Sequence, residues 1–549
     1  MNRKLGFLLG LLLALPLSAD DTQRYLVIAR KATTASRFAV AANAVASPRH
    51  GLRTFPNAES FAANLTADEA ADLQRSGDFS VEQIVSRSVD AELDGAGPIA
   101  HGGVNEEVPA PQETPWGISN IRAPEVWPHT RGENVNVVVI DTGIDAEHPD
   151  LKDAYQGGFN AFDPTKPPLD LHRHGTHVAG TIAAADNSFG VVGVAPKVKL
   201  WAAKVLDDDG EGTNETVVAA IDWAIAKAKA LGGRWVINMS LGSSVASEAE
   251  EKAIANANAD GIIVVASAGN RATDSIRYPA SYRGVISVGA AEKSGVRANF
   301  SNFGHYMTLM APGTEIRSTF IKGYDVTADA KTPAGTTLAG WPVIGAPYLS
   351  VTGHLFDCGQ GEPESFPAGV RGNIALIRRG KFLFREMARN AIAAGAIAIV
   401  IETYPDRTGP DTGGWSFFPN PPDPQWDGFQ WPLAIGVRKS TGDALLAQQG
   451  EITVTHRTAR YGLMQGTSMA APHVTGTAAL LLSLAPTLSV AQTEYVLRAS
   501  ARDVYEPGWD YDSSWGVLDA LAAARWVAFE KFGVPPPKPA PSHRRRSSR

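Results

Sequence analysis

The stretch that organises this chain is YGLMQGTSMAAPH, residues 461–473. Within it, Gly466 leaves room for a second backbone to approach, and Ser468 offers a hydroxyl group. Small and apolar residues then continue to Leu484, which predicts a buried helix with close neighbours. A serine at the start of such a helix commonly acts only as an N-cap, because its hydroxyl accepts a backbone N–H. Whether Ser468 takes part in chemistry therefore depends on partners elsewhere in the chain.

Candidate partners lie upstream, at the ends of predicted strands. The β-branched run of residues 135–140 predicts a fully buried parallel strand, and it ends at Asp141. The carboxyl ends of parallel strands are where open α/β sheets carry their sites. His174 and His177 follow in a segment that enters a helix, and Asn270 follows a later strand. Strands and helices alternate, which predicts a parallel sheet with right-handed crossovers; the segments are residues 199–205, 216–229, 235–238 and 261–266.

Each of these residues has a simpler interpretation when it is taken alone. Asp141 at a strand end is a common turn former, and Asn270 favours an Asx turn. His174 and His177, one helical turn apart, match two ligands of a metal site, although no cysteine or Glu-x-x-His partner is near in sequence. Together, in the order Asp, His, Asn, Ser, they describe one reaction. A serine nucleophile needs a base, a carboxylate to orient the base, and a donor to the developing oxyanion.

The composition narrows the range of functions. A chain of 549 residues is too long for one ordinary core, so several domains are expected. With 57 acidic and 50 basic residues, the chain has no general positive charge, and nucleic acid is not an expected partner. The single cysteine, Cys358, excludes an intrachain disulfide, so stability depends on packing and on any bound ions.

The N-terminus has the pattern of an export signal. Arg3 and Lys4 precede an apolar run over residues 5–17, and small residues follow it. The run is too short to favour a spanning helix, so residues 1–19 are predicted to be a signal peptide. An uncleaved N-terminal anchor is the alternative. We therefore expect a secreted, extracellular protein with no stable membrane anchor after the signal is removed.

Five ordered segments resemble the motifs of the subtilisin-like serine proteases (peptidase S8 family). They are residues 141–145 (DTGID), 174–177 (HGTH), 238–242 (NMSLG), 267–270 (SAGN) and 466–470 (GTSMA). The resemblance implies an α/β fold with a subtilisin-like parallel sheet flanked by helices. It implies that Ser468 is the nucleophile, that His174 is the general base and acid, and that Asp141 orients the histidine. Asn270 is then the oxyanion donor, together with the backbone N–H of Ser468.

By the same resemblance, two chain edges hold an extended substrate. The implied residues are Gly210 and Gly212 on one edge, and Ser240, Leu241 and Gly242 on the other, which also forms one wall of the primary pocket. Backbone hydrogen bonds to two edges favour broad specificity. Arg277 is expected near the pocket, where its charge would disfavour basic side chains. His172 and His177 are expected to be structural or solvated.

A metal site is also implied. Residues 185–193 (ADNSFGVVG) resemble the calcium loop of the family, with Gly190 allowing the tight turn. The implied ligands are side-chain oxygens of Gln112, Asp150 and Asn187 and the backbone carbonyls of Ala185, Phe189 and Val191. About six oxygen ligands suit Ca²⁺ rather than Zn²⁺, so a structural calcium ion is predicted. An asparagine-rich surface loop is the alternative.

The N-terminal part resembles the inhibitory propeptide of the family. The similarity rests on residues 61–66 (FAANLT) and 80–84 (SVEQI), and residues 91–110 have the composition of a linker. Residues 20–110 are therefore expected to form a small α+β propeptide domain and its linker. An ordinary N-terminal domain is the alternative from composition alone. The propeptide is expected to inhibit its own chain, with the end of the linker, near residues 109–111, in the active site before it is cut.

The main departure from the family is the long segment between Gly313 and Gly466. The order of three parts of it resembles the protease-associated (PA) domain; they are residues 372–380 (GNIALIRRG), 396–401 (AIAIVI) and 432–436 (PLAIG). Lys381 stands where many members have cysteine. Such an insert is expected to restrict or guide substrates. A passive surface insertion is the alternative, because loop entropy grows slowly with length.

The sequence thus predicts a secreted serine endopeptidase that hydrolyses peptide bonds in proteins through an acyl-enzyme and matures by propeptide removal. A binding protein on a protease scaffold is the alternative from another class, and an esterase is the closer chemical one. Protein or peptide substrates are the expected partners, and a monomer is expected. The remaining expected domains are residues 111–324 and 459–531 (catalytic), 325–458 (PA-like insert) and 532–549 (proline-rich basic tail).

Overall fold

The computed structural model describes residues 22–30, 33–89, 111–321, 325–343, 346–380, 382–402, 431–448 and 450–532. The predicted signal peptide, the linker and nearly all of the C-terminal tail lie outside these ranges. Within them, no helix combines the length and the apolar character needed to cross a membrane. The chain forms an N-terminal unit (residues 22–89), a central unit (residues 111–321 and 460–532) and an inserted barrel (residues 325–459).

The N-terminal unit is a four-stranded antiparallel sheet with two helices. Its elements are β1 (Gln23–Ala29), α1 (Ala35–Ala44), β2 (Arg53–Phe55), β3 (Ser60–Leu65), α2 (Ala67–Arg75), β4 (Phe79–Gln83) and a separate last strand, β5 (Ser86–Val89). The strand order in the sheet is β2-β3-β1-β4. Helix α2 begins at a capping box, in which the side chains of Thr66 and Glu69 each accept the other's backbone N–H. The unit has the α+β character expected from the sequence.

The central unit is built on a seven-stranded sheet in which each neighbouring pair of strands is parallel. Its elements before the insert are α3 (Trp116–Asn120), β6 (Val135–Asp141), β7 (Tyr155–Asn160), α4 (His174–Ala183), β8 (Lys199–Lys204), β9 (Glu211–Thr213), α5 (Asn214–Leu231), β10 (Arg234–Met239), β11 (Leu241–Gly242), α6 (Glu248–Ala259), β12 (Ile263–Ser267), β13 (Val285–Ala291), β14 (Leu309–Pro312) and β15 (Ile316–Thr319). The sheet order is β14-β13-β12-β10-β6-β8-β7.

The insert forms a closed barrel. Its elements are β16 (Asp325–Lys331), β17 (Thr337–Pro342), β18 (Ser350–Asp357), β19 (Ile374–Arg378), α7 (Phe384–Ala394), β20 (Ala398–Glu402), β21 (Leu433–Val437), α8 (Lys439–Leu446) and β22 (Glu451–Ala459). The barrel order is β16-β17-β21-β20-β19-β18-β22. The first and last strands pair antiparallel, with Asp325 opposite Ala459. The barrel therefore begins and ends at neighbouring points.

The chain then returns to the central unit. The last elements are β23 (Tyr461–Met464), α9 (Thr467–Leu484), α10 (Val490–Ala499), α11 (Ala520–Val527) and α12 (Phe529–Phe532). Strand β23 pairs antiparallel with β15, and the N–H of Phe320 donates to the carbonyl of Arg460 over 2.7 Å. The inserted barrel thus occupies the turn of a hairpin formed by β15 and β23.

The core explains why β6 is a run of valine and isoleucine. All of its residues are buried. Alternate residues such as Val137 and Val139 belong to the apolar cluster that contains α4 and α9, whereas Val138 and Ile140 belong to the cluster that contains α5 and α6. A strand covered by helices on both faces has no polar face to show in its sequence. The predicted α/β fold, a parallel sheet flanked by helices with a PA-like insert, is confirmed.

Candidate active site

Asp141 and His174 form the first pair of the candidate site. Asp141 is the last residue of β6, and His174 is the first residue of α4. The Nδ1 atom of His174 lies 2.7 Å from Oδ1 of Asp141, and both side chains are fully buried. The backbone N–H of Thr142 donates to the same carboxylate oxygen over 2.7 Å. With its Nδ1–H directed at a carboxylate, the imidazole has its Nε2 lone pair available as a base.

The start of α4 is held by the buried side chain of Asp170. Its Oδ1 accepts the hydroxyl of Thr142 over 2.9 Å, and its Oδ2 accepts the hydroxyl of Thr176 over 2.6 Å. Gly175 makes a close approach possible, because a Cβ built there would lie 2.2 Å from the carbonyl oxygen of Gly143. The histidine is therefore fixed by the backbone around it as well as by its own hydrogen bond.

Ser468 lies in the first turn of α9, which shares an apolar cluster with α4. Its hydroxyl donates to the carbonyl of Ser240 over 3.2 Å, and the hydroxyl of Ser240 donates to the carbonyl of Ser468 over 2.8 Å. The amide of Asn238 donates to the Ser240 hydroxyl over 2.9 Å. These contacts place Ser468 beside the beginning of β11.

Asn270 follows β12 and contacts the residue before Ser468. Its Oδ1 accepts both the N–H and the hydroxyl of Thr467, each over 2.9 Å. The Thr467 hydroxyl accepts the N–H of Gly269 over 3.0 Å. The amide is thereby oriented with its Nδ2 donor on the side away from Thr467. Arg277 is buried beside Gly269, so it borders the site, and its effect on substrate choice stays a prediction.

The neighbouring histidines have partners of their own. His177 is fully buried, and its Nε2 lies 2.9 Å from the carbonyl oxygen of Ile316. Burial lowers its pKa to about 3 despite that carbonyl. The His172 ring lies 6.3 Å from the His174 ring between centroids, and burial followed by the charge of His174 lowers its pKa. His172 and His177 are thus buried side chains, and His174 and His177 have different hydrogen-bond partners.

Two chain edges adjoin Ser468, and strand β5 of the N-terminal unit lies between them. It pairs antiparallel with β9 on one side and with β11 on the other. Arg87 lies opposite Gly212, and Val89 lies opposite Leu241. The N–H of Val89 also donates to the carbonyl of Gly210 over 3.2 Å. The residues expected to bind an extended substrate therefore hold an extended segment of the same chain.

The identity of that segment differs from the expectation. The end of the linker, near residues 109–111, was expected in the active site, but Ser86–Val89 lies between the edges, with Ser88 opposite Gly242. Pro111 lies instead opposite Phe189, on the loop predicted to bind calcium. Residues 91–110, predicted from composition to be a linker, lie outside the described residues, and composition carries no information about which strand fills the edges.

The six residues predicted as calcium ligands come together. The Asp150 carboxylate accepts the Asn187 amide over 2.8 Å and the Val191 N–H over 3.1 Å. The amide of Gln112 donates to the Ala185 carbonyl over 3.1 Å. The sixth residue, Phe189, donates its N–H to Oδ1 of Asn187 over 2.9 Å and lies opposite Pro111. The loop and the segment that begins at Pro111 thus form one oxygen-rich cluster.

This cluster fits a hard cation. It offers one carboxylate, two amide oxygens and three carbonyls, which are the ligand types that Ca²⁺ prefers. Gly190 has φ +67°, and a Cβ there would lie 2.4 Å from Oδ2 of Asp150, so glycine keeps the loop close to the carboxylate. Burial raises the pKa of the Asp150 carboxyl, because its charge is poorly solvated. A bound cation would offset that cost.

Several residues of the site were missed by the sequence analysis. Asp170 lies four residues before one quoted motif, and Thr467 lies inside another, at the start of α9. Both polar side chains are buried, and their position at a motif was the available signal. The ion pair of Arg87 and Glu250 joins the N-terminal unit to α6 and is fully buried. Nothing in the local sequence pairs these two residues, because they are 163 positions apart.

Comparison with known proteins identifies the class. The parallel sheet, with Asp141, His174 and Ser468 on elements of the central unit, is the subtilisin-like fold. The sequence profile of the subtilase family (peptidase S8) matches residues 132–340 and 423–516, and the profile of the PA domain matches residues 349–445. The chain belongs to the subtilase family and carries a PA domain.

Individual relatives agree with this assignment. The chain is 42% identical over 239 residues to a thermostable alkaline protease of Halalkalibacterium halodurans, covering 43% of this chain and 63% of that protein. It is 44% identical over 252 residues to a subtilisin of Bacillus pumilus, covering 44% of this chain and 86% of that protein. The crystal structure of the psychrophilic subtilisin-like protease Apa1 from Pseudoalteromonas sp. AS-11 matches with a TM-score of 0.51 and 29% identity, over 76% of this chain and 98% of Apa1.

Proposed function

We propose that this protein is a secreted serine endopeptidase that cuts peptide bonds in proteins through an acyl-enzyme intermediate. One observation carries the proposal: an extended peptide, Ser86–Val89, is held by backbone pairing on both sides next to Ser468. Such edges bind any extended peptide backbone. A simple ester has no backbone with which to pair, so this observation favours a peptidase over an esterase.

The proposed mechanism assigns one role to each of the three side chains. The Ser468 hydroxyl oxygen attacks the carbonyl carbon of the scissile bond while Nε2 of His174 takes its proton. Asp141, 2.7 Å from Nδ1, stabilises the imidazolium that forms. His174 then gives the proton to the leaving amine, and a water molecule hydrolyses the acyl-enzyme by the same sequence of proton transfers.

The negative charge on the tetrahedral intermediate requires donors that are already in place. The backbone N–H of Ser468 and Nδ2 of Asn270 are the proposed pair. Thr467 positions that amide by occupying its Oδ1 with two hydrogen bonds of 2.9 Å. In subtilisin, the type enzyme of the family, losing one such donor costs on the order of 10²–10³ in rate.

The N-terminal unit is the proposed intramolecular inhibitor. Because β5 fills both edges, a substrate cannot bind until this strand leaves. Val89 lies opposite Leu241, so in the same register the next position along a bound peptide faces Ser240, whose carbonyl contacts the Ser468 hydroxyl. We accordingly place the first cut after residue 90. The mature chain would be secreted by means of the predicted signal peptide, residues 1–19.

A structural calcium ion is part of the proposal. Gln112, Asp150 and Asn187 would hold it through side-chain oxygens, and Ala185, Phe189 and Val191 through their carbonyls. When bound, the ion supplies a positive charge to the buried Asp150 carboxylate. The segment that begins at Pro111 would then stay attached to the loop after the N-terminal unit is released.

The test compares the purified wild-type protein with Ser468→Ala. Wild type is expected to lose its N-terminal unit, to hydrolyse casein and to be blocked by a serine-directed acylating agent. In subtilisin, removing this serine costs on the order of 10⁶ in kcat, so Ser468→Ala should stay uncut and inactive. N-terminal sequencing of the wild type checks the position of the cut. If both proteins are processed alike and neither hydrolyses casein, a binding protein on a protease scaffold is the better explanation.

A further inference from the structure

A fully buried ion pair joins the strand in the substrate edges to the central unit. Nε of Arg87 donates to Oε1 of Glu250 and Nη2 donates to Oε2, each over 2.7 Å. Neither side chain has any exposed surface. Two parallel N–H···O bonds between a guanidinium and a carboxylate are the strongest and most directional form of this contact. Arg87 therefore fills a pocket whose polar floor is Glu250.

The two partners have different fates under the proposed function. Glu250 is fixed to the central unit, in the first turn of α6, where its N–H is capped by Ser247. Arg87 belongs to the N-terminal unit, which is cut off and released. The Tyr282 hydroxyl also lies near the carboxylate, 3.5 Å from Oε2, and it donates to the Ser247 carbonyl over 2.9 Å. Release of Arg87 thus leaves a carboxylate without its cation.

A carboxylate in such a pocket is costly without a positive partner. Burial raises the pKa of the Glu250 carboxyl, and the charge of Arg87 opposes that shift. Breaking a buried ion pair by removing one partner is strongly unfavourable, because the remaining charge has lost its solvation. A substrate that returns a guanidinium to the pocket restores both hydrogen bonds. A substrate with an apolar side chain there does not.

The register identifies the substrate position concerned. Arg87 lies opposite Gly212, and Val89, two residues later, lies opposite Leu241. In a substrate held in this register, the residue after the Val89 position faces Ser240, beside the Ser468 hydroxyl. That residue supplies the carbonyl that Ser468 attacks. The Arg87 position is therefore the fourth residue before the cut bond.

We propose that Glu250 makes this enzyme selective for substrates with arginine at the fourth residue before the cut bond. The inference rests on the proposed function, in which Ser468 is a peptidase nucleophile. Arginine is favoured over lysine because its planar fork matches both carboxylate oxygens, whereas an ammonium group meets them as a point charge. Arg87 is then the chain's own example of the preferred residue. If the pair serves only to anchor the N-terminal unit, this selectivity is absent.

The experiment measures kcat/KM of the mature wild-type enzyme on internally quenched peptides that differ only at this position. The four peptides carry arginine, lysine, leucine or glutamate. The free energy of a hydrogen bond to a charged group corresponds to a factor of roughly 10 to 100 in kcat/KM. The kcat/KM of the arginine peptide should therefore exceed that of the leucine peptide by this factor, with the lysine peptide between them and the glutamate peptide lowest. The enzyme with Glu250→Leu should prefer leucine to arginine. Because that variant buries Arg87 unpaired, Arg87→Leu is added to it, which replaces both partners with apolar side chains and allows maturation.

Glu251→Gln is the matched control, because Glu251 is the next residue on α6 and is exposed. It should leave the arginine-to-leucine ratio unchanged. Equal kcat/KM for arginine and leucine peptides in an enzyme that hydrolyses casein would overturn this inference and leave the proposed function standing. A ratio that persists in the Glu250→Leu, Arg87→Leu enzyme would also overturn it. Absence of hydrolysis of every peptide and of casein would overturn the proposed function and this inference with it.

Discussion

The N-terminal unit and the inserted barrel are attached to the central unit in different ways. Leu26 and Phe55 of the N-terminal unit belong to the apolar cluster that contains α5 and α6. The Asp222 carboxylate of α5 also accepts the N–H groups of Asn57 and Ala58, over 2.5 and 2.9 Å. The barrel, by contrast, has two apolar clusters made of barrel residues.

The difference shows that the number of covalent connections between two units does not decide whether they share an apolar core. The barrel is joined to the central unit at both of its ends, yet it buries its own core. The N-terminal unit is joined through one linker, yet it completes a core that the central unit also uses. Units that share a core unfold together, so the N-terminal unit should be coupled to the central unit more strongly than the barrel is. Ser468→Ala, which is expected to stay uncut, is the protein in which to test this.

The largest expected difference is in acid, which should destabilise the central unit more than the barrel. Burial lowers the pKa of His177 to about 3 and that of His473 to about 4, from an ordinary value of 6.5. These histidines bind protons at a higher pH in the unfolded chain than in the folded one. Their contribution to the free energy of unfolding is therefore complete above pH 6.5 and is lost as the pH falls towards 4. Each unit of pKa difference corresponds to about 1.4 kcal/mol, so the free energy of unfolding of the central unit should fall by several kcal/mol. Calorimetry of Ser468→Ala between about pH 7 and pH 4.5 measures this loss.

The unfolding transition of the barrel should respond less strongly to acid. His456 is buried there and burial also lowers its pKa, so the barrel transition should fall, but by less. His354→Gln is the control, because His354 is exposed and should leave both pH profiles unchanged. A central transition that is constant over this pH range would contradict the prediction.

Shortening one buried side chain in each unit should have the next largest effect. Leu26→Ala in the N-terminal unit and Ile377→Ala in the barrel each remove a side chain with no exposed surface, at a cost of about 2–5 kcal/mol. In Ser468→Ala, the first change should lower the transition of the central unit, and the second should lower a separate barrel transition. If Ile377→Ala lowers the central transition as much as Leu26→Ala does, the two attachments are equivalent and the comparison is wrong.

Removal of calcium should act on one region only. The cluster around Asp150 and Asn187 lies in the central unit, so a chelator should lower the central transition and leave the barrel transition in place. An ion present at 100 times its dissociation constant contributes about 2.7 kcal/mol, which sets the expected size. Asp150→Asn should abolish the response to chelator. An unchanged central melting temperature would show that the cluster binds no ion.

Replacement of the barrel should have the smallest effect. Because Phe320 and Arg460 face each other in the hairpin of β15 and β23, Asn-Gly can replace residues 321–459 as a two-residue turn. The central transition should change by no more than about 1 kcal/mol, since barrel residues supply their own core. Relative rates on casein and on a short peptide then test the barrel's role. Unchanged ratios favour a passive insertion, and a selective gain on casein favours restriction of large substrates.

Features formed by residues close together in the sequence could be predicted, whereas contacts between residues far apart in the sequence could not. Asp141, His174 and Ser468 were identified as candidate catalytic residues because each lies in a short motif at the start or end of a predicted element. The six residues predicted as calcium ligands were identified in the same way, from one loop together with Gln112 and Asp150. The ion pair of Arg87 with Glu250 and the placement of β5 were not, because strand register across units depends on tertiary contacts that leave no local pattern. The linker prediction failed at the active site for the same reason.

The position of the barrel in a hairpin turn has a consequence for how the chain folds. Without the insert, β15 and β23 would pair as neighbours in sequence, a contact that forms quickly. With it, the same pairing closes a long loop, and each doubling of a flexible loop adds about 0.6 kcal/mol of entropic cost. A folded barrel removes most of that cost, because β16 and β22 already hold the two ends opposite each other at Asp325 and Ala459. We therefore expect the barrel to close first and the helix that carries Ser468 to dock afterwards.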